Sequence, residues 1–174
     1  ARPMGQGRDL YGLRKDGTQV AIEIGLTPVT ENGRPFVLAT VTDITERVRA
    51  EAALRSEAEF RSAIIERMTE GLCVCCEVPN EPFIEFTVWN SAMGEITGYS
   101  LAEINRLGWY QTVYPDPEVR DRAIARMARM RAGDDLQAEE WTITRSDGQP
   151  RCVAISTRVV HGPQGQLFVL AVMR

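Results

Sequence analysis

Hydrophobic and polar residues alternate along residues 19–26, near the start of the chain. The apolar positions are Val20, Ile22, Ile24 and Leu26. A period of two places successive side chains on opposite faces, which predicts a strand with one buried face. Asp16-Gly17 and Asn32-Gly33 flank this strand and favour hairpin turns, because Gly and Asn tolerate a positive φ. The pattern predicts a three-stranded antiparallel meander near residues 8–41, with its apolar face covered.

The same pattern recurs about 131 residues further along the chain. Arg14-Lys-Asp-Gly17 aligns with Arg145-Ser-Asp-Gly148. With one extra residue in the second hairpin turn, Phe36-Val-Leu-Ala39 aligns with Phe168-Val-Leu-Ala171. Self-similarity at a fixed offset indicates a structural unit that is present twice. We therefore expect a second meander near residues 136–174, and we expect the first meander to end a unit whose beginning lies outside this sequence.

Residues 43–69 contain no Gly or Pro and are rich in Ala, Glu and Arg, a composition typical of a long surface helix. Asp43, with Glu46 three positions later, predicts a capping box at its start. The apolar residues form two short stripes that are out of phase, so a continuous coiled coil is not required. We expect a connector helix over residues 43–70.

Two further strands are predicted after this helix, at residues 72–78 and 83–89, with a turn at residues 79–82 between them. The first of these strands carries three of the four cysteines, Cys73, Cys75 and Cys76. Residues three apart on a strand face opposite sides of the sheet, so Cys73 and Cys76 are not expected to bind one metal ion. We interpret these cysteines as small buried residues of the sheet.

Short helices are predicted next. Asn90 or Ser91 is the expected cap of the first helix, and Gly98 is the expected break after it. Ser100, with Glu103 three positions later, predicts the start of another helix. These signals predict a cluster of short helices rather than one long helix.

Residues 116–131 form the clearest helix of the chain, with acidic residues early and arginines late, as the helix dipole favours. Its apolar face comprises Val119, Ala123, Met127 and Met130. Arg122, Arg126 and Arg129 form a basic stripe, which we interpret as a solvated helix face.

The order of these elements resembles that of a PAS domain: two strands, short helices, a longer helix and three antiparallel strands. The segment from Trp89 to Ile104 is similar to the strand-to-helix core of that family, with an Asn at the strand end and Gly98-Tyr-Ser before a Glu-bearing helix. Arg14-Lys-Asp-Gly17 resembles part of its C-terminal motif, and Asp43-Ile-Thr-Glu-Arg47 resembles the junction to its output helix.

The resemblance implies an α+β fold in three parts. Residues 71–174 are expected to form a nearly complete PAS domain, a five-stranded antiparallel sheet flanked by short helices. Residues 1–42 are expected to form the partial, three-stranded ending of a first PAS domain, and residues 43–70 the long connector helix. The length of 174 residues agrees with this division, because it exceeds one small domain and falls short of two full ones.

The resemblance also implies a sensory, signal-transduction module of a bacterial signalling protein, typically a histidine kinase of a two-component system or a diguanylate cyclase. We expect ligand or partner binding to be relayed through the linker helix to an output domain, with Asp43 and Thr45 as signal-relay residues. The expected assembly is a homodimer, and a ligand-free dimerisation scaffold is one alternative. No catalytic residue is expected, since the sequence has no P-loop, no GGDEF stretch and no phosphoacceptor helix.

Composition argues against nucleic acid and membrane as partners of this segment. Twenty basic and 24 acidic residues give a net charge of −4, which offers no excess of positive charge to neutralise a nucleic acid. No apolar run approaches the roughly 20 residues that span a bilayer, and the first residues lack the layout of a signal peptide. The chain is therefore expected to be cytoplasmic, with no nucleic-acid partner and no membrane contact in this segment.

Five residues are candidates for a cofactor pocket: Trp89, Asn90, Trp109, Tyr110 and Trp141. Aromatic rings and an amide could stack on and hydrogen-bond to a flavin, so an FAD-type redox sensor is the second alternative. Light-sensing PAS domains form a flavin adduct through a cysteine near the positions of residues 101–110, where this sequence has none. The favoured interpretation is that these aromatic residues fill the core without a cofactor, and a small organic ligand is the other candidate.

Haem is disfavoured as a cofactor, and no metal site is expected. Haem-binding PAS domains use a histidine on the helix that corresponds to residues 116–131, whereas the single histidine here, His161, lies at a predicted hairpin turn. Met127 or Met130 could ligate iron, but methionine at helical spacing is more often a core residue.

Overall fold

The computed structural model describes residues 2–4, 10–78, 84–162 and 165–174. These residues belong to two compact units, Ala1–Arg61 and Ser62–Arg174. The predicted turn at residues 79–82 and the central residues of the hairpin after His161 lie outside the described residues.

The first unit is an antiparallel sheet built around one long strand. Its strands are β1 (Arg2–Met4), β2 (Leu10–Leu13), β3 (Gln19–Glu31) and β4 (Arg34–Asp43). β3 pairs with β4 along one edge and with β1 and β2 along the other. β2, β3 and β4 form the predicted meander, and β1 adds a fourth strand that the hydrophobic pattern does not predict.

Local turn chemistry sets the hairpins of this sheet. Asn32 and Gly33 have φ angles of 49° and 73° and form the two-residue turn between β3 and β4. Such a turn needs two positive φ angles, which explains the Asn-Gly pair. The apolar side chains of β3, at residues 20, 22, 24 and 26, are half-buried. The expected cover of this face is therefore only partial.

Helix α1 (Thr45–Glu66) follows β4 and is slightly shorter than the predicted range of 43–70. The Asp43 carboxylate accepts a hydrogen bond from the Thr45 amide at 2.9 Å, not from the amide three positions later as a capping box requires. No side chain of α1 is buried. Exposed ion pairs join Arg55 to Glu59 and Arg61 to Glu57, as expected for a surface helix.

The second unit is a five-stranded sheet with its helices inserted after the second strand. Its elements are β5 (Gly71–Glu77), β6 (Ile84–Trp89), α2 (Ser91–Thr97), α3 (Leu101–Leu107), α4 (Trp109–Val113), α5 (Pro117–Arg131), β7 (Glu139–Thr144), β8 (Pro150–His161) and β9 (Leu167–Met173). The strand order is β6-β5-β9-β8-β7, and all pairs are antiparallel. The predicted α+β fold with a five-stranded antiparallel sheet is confirmed. Across the described residues, no helix combines the length and the apolar character needed to cross a membrane.

Cap residues fix the helix ends at the predicted positions. Asn90 caps α2 by accepting a hydrogen bond from the amide three residues later at 3.0 Å, and Gly98 ends that helix with φ of 80°. Ser100 and Glu103 form a reciprocal capping box at the start of α3. Asp116 caps α5. Each of these caps satisfies amide groups that the helix itself leaves without partners.

The two meanders share one strand register. Ile24 pairs with Val41 in the first, and Ile155 pairs with Met173 in the second. These are the pairs that the sequence repeat aligns. The repeated sequence therefore folds as a repeated structure.

The core of the second unit lies between the inner face of its sheet and the helices. Its fully buried side chains include Met93, Ile104, Val113, Met130 and Ile143. The apolar face predicted for α5 packs against this core through Ala123 and Met130, with Val119 and Met127 at its margin.

Candidate functional site

A cavity of about 90 Å³ lies inside the second unit, between the inner face of the sheet and helices α4 and α5. β5 contributes Cys73 and Cys75 to its wall, and α5 contributes Met127 and Met130. Most of the other lining side chains are also apolar. A mainly apolar cavity of this kind is suited to an uncharged molecule rather than an ion.

One wall of the cavity is aromatic. Tyr114 lies edge-on to Trp109 and to Trp141, with ring centroids 6.2 Å and 5.8 Å away, and stacks on Tyr110 at 6.4 Å. Burial raises the pKa of the Tyr114 hydroxyl above its usual value. These rings form a rigid surface that a bound molecule could contact with little loss of side-chain freedom.

Arg126 is the only charged residue among the described residues that line the cavity. Its guanidinium Nε donates to Glu139 Oε2 at 2.9 Å, and its terminal nitrogens donate to the backbone carbonyls of Asp134 and Asp135 at 2.8 Å and 3.4 Å. The charge is therefore already matched within the protein. The prediction that the arginine stripe is a solvated face is wrong for Arg126, because the loop after α5 and the start of β7 bury it.

Trp141 brings a buried polar group to the cavity wall that has no hydrogen-bond partner in the part of the chain that the structure describes. The side chain is 8% exposed, and its indole Nε1 has no hydrogen-bond partner among the described residues. The Arg122 guanidinium lies 5.4 Å from the ring centroid and helps to hold the ring in place. A buried donor without an acceptor is unusual in a folded protein and calls for an explanation.

The structure brings together three of the five predicted pocket residues, Trp109, Tyr110 and Trp141, along the cavity. Trp89 does not line it: its indole donates to the Tyr99 carbonyl at 3.0 Å, and its ring lies edge-on to Phe86. Asn90 does not line it either, because its amide is used in capping α2 and in three further hydrogen bonds.

Sequence reasoning missed two aromatic residues of the cavity wall, Tyr114 and Phe86. Tyr114 follows Tyr110 by four positions, a spacing that could have identified it as part of the same aromatic cluster. Phe86 faces inward on β6, as the alternation of buried and exposed residues along that strand indicates.

Comparisons with known proteins decide the family. A family model described as PAS fold matches residues 86–173, and one described as PAS domain matches residues 4–46. The chain belongs to the PAS domain family. We refer to residues 71–174 as the second PAS domain and to residues 1–42 as the first PAS segment. Curated proteins yielded no match to the sequence.

Solved structures share the fold of the second PAS domain. A domain of a sensory box sensor histidine kinase/response regulator from Geobacter sulfurreducens is 23% identical, with a TM-score of 0.54, covering 70% of this chain and 96% of that one. A PAS domain from a two-component sensor histidine kinase is 17% identical, with a TM-score of 0.53 and coverage of 69% and 96%. A PAS domain from Colwellia psychrerythraea is 13% identical, with a TM-score of 0.54 and coverage of 67% and 94%. At these identities the likeness concerns the fold alone.

Asn90 joins the end of α1 to the second PAS domain. Its Oδ1 accepts from the amides of Leu72 and Met93 at 2.9 Å and 3.0 Å. Its Nδ2 donates to the carbonyls of Ile65 and Glu70 at 3.0 Å and 2.9 Å. The last turn of α1, the start of β5 and the start of α2 therefore meet at one buried side chain.

A second contact joins the end of α1 to the start of α2. Glu66, the last residue of α1, accepts hydrogen bonds at its Oε2 from the Ser91 amide at 3.1 Å and from the Ser91 hydroxyl at 2.7 Å. With the Asn90 bonds, this contact makes the end of α1 part of the PAS domain fold.

The predicted relay residues lie where β4 leads into α1. Thr45 Oγ1 accepts from the Ala21 amide at 3.3 Å, and Asp43 forms an ion pair with Arg14. Hydrogen bonds from the Thr45 side chain and backbone, together with Arg14, lower the pKa of Asp43 to about 2. The start of α1 is thereby attached to the β2–β3 hairpin, while the relay role of Asp43 and Thr45 stays a prediction.

The cysteines of the second PAS domain separate by exposure. Cys73 and Cys75 are buried, Cys76 is half-buried and Cys152 is exposed. Burial raises the pKa of the Cys73 thiol, and the neighbouring Cys75 adds to this effect. Within the described residues no group of His, Cys, Asp and Glu side chains is arranged to hold a metal ion.

Proposed function

We propose that this chain is a sensory PAS module in which a small molecule binds in the cavity of the second PAS domain. The conformational change caused by binding is relayed through α1 to an output domain of a signalling protein. Membership of the PAS family supports the sensory role. The observation that carries the relay is the set of hydrogen bonds from Asn90 and Ser91 to the last turn of α1.

The cavity volume favours a ligand far smaller than FAD or haem. Pockets that hold drug-sized molecules enclose roughly 300–1,000 Å³, whereas this cavity measures about 90 Å³. The residues present therefore do not fit a flavin, and α5 offers no histidine for haem iron. We propose a small organic ligand as the bound species.

At its other end, α1 begins at Thr45, two residues after Asp43 ends β4, and we propose these two residues as the ones that pass the change between helix and sheet. A two-state arrangement of α1, shifted by differential binding, would account for signalling without chemistry. We propose that this chain has no enzymatic activity and that it lies in the cytoplasm. A homodimer is part of the proposal, because α1 leaves Leu54 and Phe60 exposed.

Xenon enters apolar cavities and needs no hydrogen-bond partner there, so it tests the relay independently of the chemistry of the natural ligand. We expect xenon to slow amide hydrogen exchange in β8 and β9 and also in residues 62–66. A bound occupant stabilises the folded domain, so every segment that opens together with the domain gains protection from exchange. The middle of α1, residues 48–58, should exchange as before. Exchange measured by mass spectrometry with and without xenon pressure gives this comparison.

Two matched substitutions on α1 sharpen the experiment. Glu66→Gln weakens the contact with Ser91 and should reduce the xenon effect at residues 62–66, where the Asn90 bond to Ile65 remains, while the effect in the sheet persists. Glu57→Gln removes an exposed ion pair with Arg61 and should behave as the unmodified chain. If xenon protects the sheet and leaves residues 62–66 unchanged in the unmodified chain, the proposed relay is wrong.

A further inference from the structure

The unpaired indole N–H of Trp141 indicates what chemistry the cavity accepts. Its Nε1 is fully buried and has no acceptor among the described residues, although the ring forms part of the cavity wall. Leaving a buried donor unpaired costs stability, and an acceptor in the cavity would recover that cost. By contrast, the indole of Trp89, at the end of β6, already donates to the Tyr99 carbonyl.

Two other polar side chains of the wall are already hydrogen-bonded. Arg126 is paired with Glu139 and with two backbone carbonyls. Thr157 Oγ1 accepts from the Leu136 amide at 3.0 Å. An anion would find no unpaired positive charge among the described lining residues, and a charged molecule of either sign would lose its hydration without compensation.

The size of the cavity limits the ligand further. An engineered cavity of about 150 Å³ in another protein holds a benzene molecule, so this cavity of about 90 Å³ limits its occupant to at most the size of benzene, six heavy atoms. A single water molecule would be poorly held, since a buried water needs two to four polar partners and most of the wall is apolar.

We infer that the cavity binds a small, uncharged, mainly apolar molecule with one hydrogen-bond acceptor, such as a carbonyl oxygen, which accepts from the Trp141 indole N–H. This inference rests on the proposed function for the identity of the site and adds the class of ligand. The aromatic wall of Trp109 and Tyr114 contacts the hydrocarbon part of the molecule.

Two probes separate the acceptor from the hydrocarbon. Cyclopentanone carries a carbonyl oxygen, and methylcyclopentane has the same number of heavy atoms without an acceptor. In a nitrogen–proton correlation spectrum, we expect saturable titration with cyclopentanone to move the Trp141 indole resonance downfield and to leave the Trp89 indole resonance in place. Methylcyclopentane should bind without the downfield shift.

A pair of substitutions measures the hydrogen bond. Trp141→Phe should weaken cyclopentanone binding about fivefold relative to methylcyclopentane, because only the ketone uses the N–H. Trp89→Phe, the matched control at an indole that does not line the cavity, should leave the ratio of the two affinities unchanged. The ratio cancels any general loss of packing caused by the smaller ring.

Several outcomes overturn the inference. It is wrong if neither probe binds, if cyclopentanone binds without moving the Trp141 resonance, or if Trp141→Phe changes the two affinities equally. The resonance shift needs only the unmodified chain, so it decides the matter even if Trp141→Phe does not fold. If xenon protects residues 62–66 but cyclopentanone does not bind, the ligand class is refuted and the proposed relay stands. If cyclopentanone binds and moves the Trp141 resonance but xenon leaves residues 62–66 unchanged, the relay is refuted and the ligand class stands.

Discussion

The β2–β4 and β7–β9 meanders have the same strand register and the same geometry in their first turns, but they differ greatly in burial. Val37 and Val169 occupy aligned positions in β4 and β9, yet Val37 is 66% exposed and Val169 is 6% exposed. In the second PAS domain this face is covered by helices that pack on the sheet. β4 is exposed along its whole length.

The difference separates two sources of structure. Hairpins with the same register form whether or not one face is buried, so turn residues and alternation are enough to define them. Burial depends on residues distant in sequence and contributes most of the stability. The first PAS segment shows the local contribution, and the second PAS domain shows both contributions together.

The largest expected effect comes from truncating the aligned valines. Val169→Ala should lower the free energy of unfolding of the second PAS domain by about 2 kcal/mol, because it removes buried methyl groups. All three tryptophans lie in this domain, so tryptophan fluorescence during urea unfolding reports the change. Val37→Ala should lower the stability of the β3–β4 hairpin by far less, and amide hydrogen exchange within that hairpin measures this change. Equal shifts from the two substitutions would show that burial does not distinguish the meanders.

A smaller and equal effect is expected from the turn glycines. Gly17 and Gly148 have φ angles of 84° and 79° at aligned positions, and a Cβ atom would contact nothing at either site. Alanine at each position should therefore destabilise its own hairpin by about 1 kcal/mol through backbone strain alone. Amide exchange within each hairpin measures both effects.

Gly94, inside α2, supplies the control for these glycines. Its backbone does not have a positive φ, and a Cβ would lie 3.8 Å from the nearest atom, an ordinary contact. Gly94→Ala should leave stability unchanged or raise it, because alanine favours a helix. A marked inequality between Gly17→Ala and Gly148→Ala would mean that the two turns are not equivalent.

The smallest expected effect concerns a contact found in the first PAS segment. Arg14 pairs with Asp43, whereas the aligned Arg145 donates to the carbonyls of Glu95 and Ile96. Because the pKa of Asp43 is lowered from 3.8 to about 2 in the folded chain, its contribution to stability is present above about pH 4 and is lost as the pH falls to 2. Carboxyl carbon resonances followed against pH measure this titration.

Substitutions at Thr45 test the cause of that shift. Thr45→Val removes the hydroxyl and should raise the pKa of Asp43 towards its ordinary value, whereas Thr45→Ser keeps the hydroxyl and should preserve the low pKa. An unchanged pKa in Thr45→Val would assign the effect to Arg14 and the backbone amide instead.

The elements of the fold were predictable where the signal is local. The Asn32-Gly33 turn, the Asn90 cap and the capping box at Ser100 follow from residue type and spacing. The position of Arg126 was not predictable, because three arginines at helical spacing resemble a solvated face. Its burial depends on Glu139 and on backbone carbonyls of the loop after α5.

The same limit applies to the cavity. Aromatic residues could be chosen from the sequence as candidates, and Trp109, Tyr110 and Trp141 line the cavity. Which tryptophan keeps a free N–H depends on whether a carbonyl lies beside it, as Tyr99 does for Trp89. That relation is set by tertiary packing and leaves no pattern in the sequence.

The distribution of thiols makes the second PAS domain a chemical reporter of its own opening. All four cysteines lie in this domain, with Cys152 exposed and Cys73 buried. Alkylating reagents attack the thiolate, and burial suppresses both access to Cys73 and its ionisation. In mass spectrometry of the alkylated chain, modification of Cys152 would therefore report an exposed thiol, and modification of Cys73 would report opening of the sheet. No engineered label is needed.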